Sequence, residues 1–412
     1  MERASVDPAS VDPVDRALRR PRRWLVLTAF VAVAGVSQML WLNFAPILTQ
    51  IQARYGVGES TAIWLISIFP LLYCLLSVHA GALIDRRGYR FAVGLGAWIM
   101  AAFACVRIFD ARFASLLIGQ VGIAVAQPYV VNGITKLVTD WFTEEQGAIA
   151  TGLGTMGMFL GMALGMGLTP VLAEAAGLRI TMIVFAAIAL ATAIVFTIWV
   201  RPNEARVPAA AEAAPARFRA LLGHRRLVVL CTLGFLGLGV FNGLTGLLES
   251  ILAPHGISSA RAGTIGALLI GGGIVGAVVI PLASDLTRRR KPFLLLCAAG
   301  ALATIYPLGS SDSYGLLCAL AGLHGFFFMP ALALLLEMCS QIVGARSAGA
   351  ATALVMLTGN AGGVVVLLTM DALKRGNDYH ASVLLMVGLL AATLLLAFAA
   401  PETFPQGRRP QS

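Results

Sequence analysis

Single amide side chains interrupt the long apolar runs of this sequence. They are Gln38, Asn43, Gln120, Gln127, Asn242 and Asn360, and they fall in four separate runs. Gln120 and Gln127 are seven residues apart, which places them two turns apart on one face of a helix. A lone polar group in an apolar environment is costly unless it faces a cavity or a hydrogen-bonding partner. Each amide therefore predicts either a hydrogen bond to a neighbouring helix or a contact with a bound solute, and the sequence leaves both open.

An aromatic side chain accompanies two of these amides. Trp41 lies three residues after Gln38, so the two share a helix face, whereas Asn43 lies about 200° around a regular helix from Trp41. Pro46 removes the hydrogen bond to residue 42, and the kink that follows could bring Asn43 round to the same side. No Arg or Lys lies at the same depth in the four runs. A site built from amides and an indole suits a neutral or cationic solute, because a carboxylate would normally need a fixed cation.

Two acidic residues lie within apolar runs and away from the turns between them, Glu249 and Glu337. Either could balance the charge of a cationic solute or carry a proton. Glu249 follows Asn242 by seven residues on the same helix face and has no cation near it in the sequence. Glu337 has a second interpretation, an ion pair at the membrane surface with Arg346. We expect charge balance or proton coupling at Glu249 first and at Glu337 second.

The apolar runs themselves indicate a membrane protein with twelve spans. Hydrophobic residues make up 58% of the 412 residues, charged residues only 12%, and the mean hydropathy is +0.84. A water-soluble chain has about twice that share of charge, and a run of about 20 apolar residues crosses a hydrocarbon core of roughly 30 Å. The predicted spans are 24–50, 60–82, 91–109, 113–138, 146–172, 178–200, 227–253, 262–284, 292–310, 314–340, 347–370 and 381–400.

The basic residues report the orientation of these spans. Of the 30 lysines and arginines, 23 fall on one side if the first span starts inside, and this bias predicts that both termini are cytoplasmic. The net charge of +10 is then a topology signal and not a sign of nucleic-acid binding. The predicted domains are a disordered tail (1–23), an N-terminal six-helix bundle (24–200), a cytoplasmic linker (201–226), a C-terminal six-helix bundle (227–400) and a tail (401–412).

A charged turn occurs twice in the chain, 200 residues apart. Residues 81–90 read GALIDRRGYR and residues 281–290 read PLASDLTRRR, with the aspartates aligned. The carboxylate of Asp85 can face the positive N-terminal end of a neighbouring helix, a contact worth about 0.3–1 kcal/mol, and Gly88 lets the backbone reverse tightly. The candidate gating residues are Gly81, Asp85, Arg86, Gly88, Arg90 and Asp285. These residues predict a contact between neighbouring helices that stabilises one conformational state. The alternative is that the arginines only set the orientation of the spans in the membrane.

Gly81-x-x-x-Asp85-Arg86-x-Gly88-x-Arg90 resembles the loop motif of the major facilitator superfamily, and the resemblance extends over all twelve spans. It implies an all-α integral membrane fold of two six-helix bundles, each made of inverted 3+3 repeats, around a central cavity. A duplicated membrane half is itself typical of secondary transporters. The second copy departs from the motif, with Pro281 for the first glycine and Thr287-Arg288 for Arg-x-Gly, so we expect the gate to depend more on the first copy.

Within that superfamily the chain resembles the feline leukaemia virus subgroup C receptor-related transporters. The resemblance rests on Arg23-Trp24-Leu-Val-Leu, on Met39-Leu40-Trp41-Leu42-Asn43-Phe44 and on Gly119-Gln120 followed by Ala126-Gln127. Members of that family are associated with choline, ethanolamine and haem. The likeness implies that Trp41 contacts a quaternary ammonium through a cation–π interaction, assisted by Gln120 and by Asn360 in place of a glutamine. Asn242 beside Phe241 stands where we would expect a tyrosine.

The predicted function is transport of a small cationic or neutral organic metabolite by alternating access, by a monomer with no cofactor. Its energy source is a co-transported proton or cation, or the solute gradient itself. The alternatives are a proton-coupled exporter of drugs or siderophore-like metabolites and, from another class, a membrane receptor that binds without transporting. No nucleotide-binding loop, metal-spaced His/Cys set or catalytic cluster favours an enzyme. The composition, rich in Ala, Gly and Arg, indicates a bacterial inner membrane.

Overall fold

The computed structural model describes residues 13–200, 223–344, 348–376 and 378–404, and this part of the chain is helical apart from its turns and one isolated bridge between Arg375 and Asp378. One short 3₁₀ turn (Ala45–Ile47) interrupts a span, and another (Ala253–His255) ends one. The α-helices are Pro13–Leu42, Leu48–Tyr55, Glu59–Ala62, Trp64–Val106, Phe113–Val131, Gly133–Trp141, Glu144–Ala176, Leu178–Trp199, Arg225–Leu252, Ser259–Thr287, Lys291–Ser310, Tyr314–Phe328, Pro330–Val343, Ala348–Leu373 and His380–Ala399.

Eleven helical segments of the described residues are long and apolar enough to cross a membrane. One of them, Glu59–Val106, has 48 residues, which is roughly 72 Å of helix against a hydrocarbon core of roughly 30 Å. Gly88 breaks this segment with a non-helical backbone, so it supplies span 2 (59–87) and span 3 (89–106). The predicted all-α membrane architecture is therefore confirmed.

The remaining spans follow in chain order. They are span 1 (Arg22–Tyr55), span 4 (Phe113–Trp141), span 5 (Ile149–Ala176), span 6 (Leu178–Trp199), span 7 (Arg225–His255), span 8 (Ser259–Thr287), span 9 (Lys291–Ser310), span 10 (Tyr314–Val343), span 11 (Gly349–Leu373) and span 12 (His380–Ala399).

The first helix begins at Pro13, so the prediction of a disordered tail is wrong for residues 13–23. Proline suits the first turn of a helix, and a helix already formed in the span extends outward at little cost through Ala, Leu and Arg, which favour helix. The rest of that tail (1–12), most of the predicted linker (201–222) and most of the C-terminal tail (405–412) lie outside the described residues.

Helix pairing is the same in the two halves of the chain. Span 1 packs on span 5 and span 3 on span 6, and in the second half span 7 packs on span 11 and span 9 on span 12. Glycine makes these pairs close: a Cβ at Gly161 would overlap the backbone of Gly35, and one at Gly362 would overlap that of Phe235. The halves touch each other through spans 5 and 8 and through spans 2 and 11.

The two charged turns have a left-handed residue at the same place. Gly88 has φ 81° and ψ 160°, and Arg288, its counterpart 200 residues later, has φ 52° and ψ 43°. The conformation of Gly88 is almost closed to residues with a Cβ, whereas that of Arg288 is open to them at a moderate cost. The fold therefore requires glycine only in the first copy, which explains how the second copy lost it.

We predict that Gly88→Ala lowers the free energy of unfolding by about 1–3 kcal/mol, because alanine must adopt the same strained backbone. Gly81→Ala is the matched control, since it lies in the same motif, has no positive φ and would place its Cβ in open space. Thermal unfolding of the purified variants measures the difference. Equal midpoints for the two variants would show that the turn can reverse without the left-handed residue.

Candidate functional site

A cavity of about 1320 Å³ lies between the two halves of the chain. At mid-depth it is lined by Trp41 and Phe241, and at one end by Asp85, Lys136 and Glu337. That end coincides with the basic face, defined here as the surface that carries the two charged turns. These three are the charged side chains that line the cavity in the described part of the chain, so its mid-depth region is uncharged.

Five of the seven predicted binding residues line this cavity: Gln38, Trp41, Gln127, Asn242 and Asn360. Gln38 and Gln127 are without a hydrogen-bond partner among the described residues, so their amides remain available to a solute. Asn242 and Asn360 each donate to a carbonyl four residues earlier in their own helix, at 2.7 and 2.9 Å. Their amide oxygens are left as acceptors, and that of Asn242 is buried without a partner.

The indole of Trp41 is held in a fixed orientation at mid-depth. Its Nε1 donates to the carbonyl of Ile66 in span 2 at 3.2 Å, and Phe69 stacks on it with ring centroids 6.1 Å apart. On the opposite side of the cavity Phe241 stacks on Phe328 at 6.3 Å. Aromatic rings therefore come from both halves, and Phe328 is a cavity residue that sequence reasoning missed, because an apolar side chain in an apolar span carries no distinguishing signal.

The other two predicted binding residues, Asn43 and Gln120, lie outside the cavity and surround Arg107. Gln120 is fully buried, accepts from Arg107 Nη1 at 2.8 Å and donates to two backbone carbonyls of spans 1 and 2. Asn43 accepts from the same Nη1 at 3.4 Å, and the ring of Phe44 lies 5.3 Å from the guanidinium carbon. Arg107 forms no ion pair with any carboxylate of the described residues, so these amides and this ring stabilise a buried cation.

Glu249 lies away from the cavity, in a contact between the halves. Its carboxylate accepts from the backbone N–H of Thr49 at 3.1 Å, from the Thr49 hydroxyl, and from Ser259 Oγ at 3.0 Å. Only 2% of Glu249 is exposed. Thr49 lies just after the 3₁₀ turn of span 1, so the interrupted end of span 1 is bonded directly to span 7.

A second carboxylate closes the same face of the molecule, opposite the basic face. Glu59, from the first half, accepts from Lys374 Nζ at 2.8 Å and from the hydroxyl of Tyr379, both from the second half. Lys374 is also 2.5 Å from Asp371 in its own span. The cavity is therefore sealed at this face by the two carboxylates Glu59 and Glu249, each bonded across the halves.

At the basic face the charged turns do not bridge the halves. Asp85 is exposed at the mouth of the cavity and makes no hydrogen bond or ion pair with a described residue. Arg90 Nε donates to the carbonyl of Val200 at 2.7 Å within the first half. In the second half Asp285 pairs with Arg290 at 2.6 Å.

Glu337 is at the same mouth, with half of its side chain exposed and 3.9 Å from Arg290. It accepts from Gln341 Nε2 at 2.9 Å. Arg346, its other expected partner, lies outside the described residues. The carboxylate is therefore placed where a solute would enter the cavity and not where it would be held.

Comparisons with known proteins identify this arrangement. The sequence model of the Major Facilitator Superfamily matches residues 17–367. The chain belongs to the major facilitator superfamily. A crystal structure of a bacterial homologue of the human lysosomal transporter Spinster, in an inward-facing and unoccupied conformation, matches this facilitator with a TM-score of 0.73 over 95% of this chain and 100% of that chain. At 17% identity the match shows a shared fold, which confirms the predicted one.

Proteins with similar sequences show where this chain belongs within the superfamily. Solute carrier family 49 member A3 of Xenopus tropicalis is 28% identical over 380 residues, which is 86% of this chain and 78% of the relative. The choline/ethanolamine transporter flvcr2b of Danio rerio is 22% identical over 371 residues, which is 84% of this chain and 76% of the relative. The predicted resemblance to the feline leukaemia virus subgroup C receptor-related transporters is confirmed. The protein is a transporter and not an enzyme.

We predict that Gln120→Leu lowers stability and that Gln127→Leu lowers solute affinity. Gln120→Leu removes the 2.8 Å acceptor of a buried guanidinium and should lower the free energy of unfolding by about 3 kcal/mol, with solute affinity unchanged in the folded fraction. Gln127→Leu removes an amide that faces the cavity and should weaken binding with little loss of stability. Thermal unfolding measures the stability of both variants, and equilibrium binding measures their solute affinity. A Gln120→Leu protein of normal stability that fails to bind would place Gln120 in the site.

Proposed function

We propose that this protein moves a small cationic or neutral organic solute across the membrane by alternating access. The observation that carries the proposal is the convergence of four amides and Trp41, from both halves, on the uncharged mid-depth region of one cavity. A site shared by two halves changes its exposure when the halves rock against each other. The choline/ethanolamine relative supports an organic cation as the solute.

The chemistry of the mid-depth region favours a cation over an anion. The cavity offers amide oxygens, an indole face and two stacked phenyl rings, and no described residue places an ammonium or guanidinium there. The ring quadrupole attracts a desolvated cation by about 2 kcal/mol. A carboxylate or phosphate would lose its hydration without receiving a countercharge. A neutral solute is compatible with the same amides.

Opening of the sealed face requires Glu249 and Glu59 to release their partners in the other half. Protonation of Glu249 would remove its charge and weaken the acceptance of the Thr49 and Ser259 hydrogen bonds, which makes it the residue through which a proton would be coupled. Among the described residues, Glu59 is a charged neighbour of Glu249. In this conformation Glu249 does not reach the cavity, so we propose it as the coupling group and not as the counter-ion. Glu337 stays a candidate for attracting cations to the mouth.

The orientation and cellular location are part of the same proposal. The excess of basic residues on the basic face supports a cytoplasmic position for that face and for both termini. The cavity would then be open to the cytoplasm. A bacterial inner membrane and a monomeric state are our expectation from composition and from the presence of a complete cavity in one chain.

We predict that Trp41→Ala weakens binding of choline or another bound organic cation about 30-fold, because it removes a cation–π contact of about 2 kcal/mol. Trp98→Ala is the control, since that indole is exposed and donates to Thr197, away from the cavity. Thermal shift against a panel of metabolite and drug cations finds the ligand, and calorimetry measures its affinity. An unchanged affinity in Trp41→Ala would remove Trp41 from the site, and shifts with many bulky drugs would favour an exporter.

We predict that Asp85→Asn slows uptake into proteoliposomes at least tenfold and changes the solute affinity less than threefold. Asp85 makes no hydrogen bond or ion pair with a described residue, and a contact with the other half would form as the basic face closes. Asp285→Asn is the comparison, because Asp285 is already paired within its own half and should matter less. Equal losses of turnover and affinity in Asp85→Asn would contradict the gating role.

A further inference from the structure

The two walls of the cavity differ in polarity. In the second half, which also contributes the amides of Asn242 and Asn360 to the cavity, spans 7, 9 and 10 present a surface that we call the apolar wall. It consists of Phe241, Leu294, Ala298, Phe328, Leu332 and Leu336. These side chains carry no hydrogen-bonding group, and together they extend from mid-depth toward the mouth of the cavity. A solute that is polar over its whole surface would gain nothing from this wall.

The first half presents a contrasting surface that we call the polar wall. It consists of Tyr73, Ser77, Gln127, Asn132, Thr135 and Thr155. The Tyr73 hydroxyl donates to Asn132 Oδ1 at 2.7 Å, and Asn132 Nδ2 donates to Ser77 Oγ at 3.1 Å. The Gln127 amide makes no hydrogen bond with a described residue, so this wall keeps an oriented donor and acceptor that the protein does not use.

The apolar wall is fixed from behind by a buried histidine. His324 stacks on Phe328 with ring centroids 5.2 Å apart and an angle of 17°, and Phe328 stacks on Phe241 at 13°. The Thr304 hydroxyl donates to the carbonyl of Gly300 at 2.8 Å, so it accepts from His324 Nδ1, also at 2.8 Å. His324 Nε2 has no partner among the described residues, and a buried ring with one unpartnered nitrogen is most stable as the neutral imidazole with its proton on Nδ1. The phenyl ring of Phe328 is thereby held in place before a solute arrives.

The cavity runs from mid-depth to its mouth at the basic face, so its volume is an upper bound on the size of the solute. Pockets for small molecules usually measure about 300–1,000 Å³, and this cavity of about 1320 Å³ exceeds that range. A head group the size of a quaternary ammonium would occupy the mid-depth region near Trp41 and leave the apolar wall facing water. That wall is largely apolar carbon, and its burial is favourable only when an apolar group covers it.

We infer that the transported solute is amphipathic: a polar or cationic head lies on the polar wall, and an apolar body of several carbons lies on the apolar wall. The inference rests on the proposed function and names the class of solute more narrowly. Phe328, held by His324, is then a specificity-determining residue. It selects for the apolar body and leaves recognition of the head to Trp41 and Gln127.

The test uses two ligand series of equal chain lengths on the full-length protein in lipid nanodiscs. One series is n-alkyltrimethylammonium and the other is uncharged n-alkyl glycerol monoethers, each with methyl, butyl, hexyl and octyl chains. Titration calorimetry measures Kd, with empty nanodiscs subtracted. The variants are Phe328→Ala and, as the matched control, Phe327→Ala, which removes the neighbouring ring that does not line the cavity. Leu332→Ala replaces Phe328→Ala if the latter does not fold.

For at least one head group we expect Kd to fall as the chain lengthens, by up to about fourfold per buried methylene. Phe328→Ala should at least halve that slope on a logarithmic scale, and Phe327→Ala should keep it. A slope for the uncharged series alone would support the inference and contradict the cationic part of the proposed function. Equal Kd at all lengths would overturn the inference while a small-solute transporter stands. Equal slopes in the two variants, or no binding by either series, would also overturn it.

Discussion

The cost of an unpaired polar group in a water-free interior organises this structure. Gln120 and Asn43 are committed to the guanidinium of Arg107, a cation without a carboxylate partner in the described part of the chain. Gln38 and Gln127 make no such bond and face the cavity. Because a buried charge without acceptors would cost several kcal/mol, the first two amides are not free to bind a solute. The division between structural and solute-facing amides therefore follows from the position of one arginine.

Arg107 also determines where the interrupted end of span 1 lies. Its amide and aromatic neighbours, Asn43 and Phe44, directly precede the 3₁₀ turn at Ala45–Ile47, and the helix Leu48–Tyr55 follows. At the far end of that helix Arg54 pairs with Asp110 at 2.6 Å. Both attachments are to the first half, so the helix moves with that half, and Thr49 within it is the group that Glu249 of the second half must release.

The sequence was sufficient for the fold and for most of the cavity, because span lengths, the repeated turn and mid-span polarity are each visible in one dimension. It could not separate Gln120 from Gln127, which lie on one helix stripe, because their difference comes from Arg107, a residue just after the end of span 3. It also placed Glu249 with Asn242 on one face without showing that the cavity ends between them. Phe328 was out of reach for a simpler reason: its role depends on stacking with Phe241 and His324, and such contacts between spans leave no local pattern.

In this state the halves are bonded to each other at the sealed face and not by the charged turns of the basic face. A transport cycle limits how large this difference in free energy can be. At the sealed face Glu59 and Glu249 accept from Lys374, Tyr379 and Thr49 across the halves, and a hydrogen bond to a charged group contributes about 1.5–3 kcal/mol. Reversing a 99:1 population takes about 5.5 kcal/mol, so these bonds together would hold the sealed state too strongly if nothing opposed them. The state that is closed at the basic face must gain a comparable free energy from contacts between the halves at that face. Asp85, which has no partner among the described residues, can supply part of it, and a solute whose polar and apolar surfaces both gain contacts as the halves close around it can supply the rest.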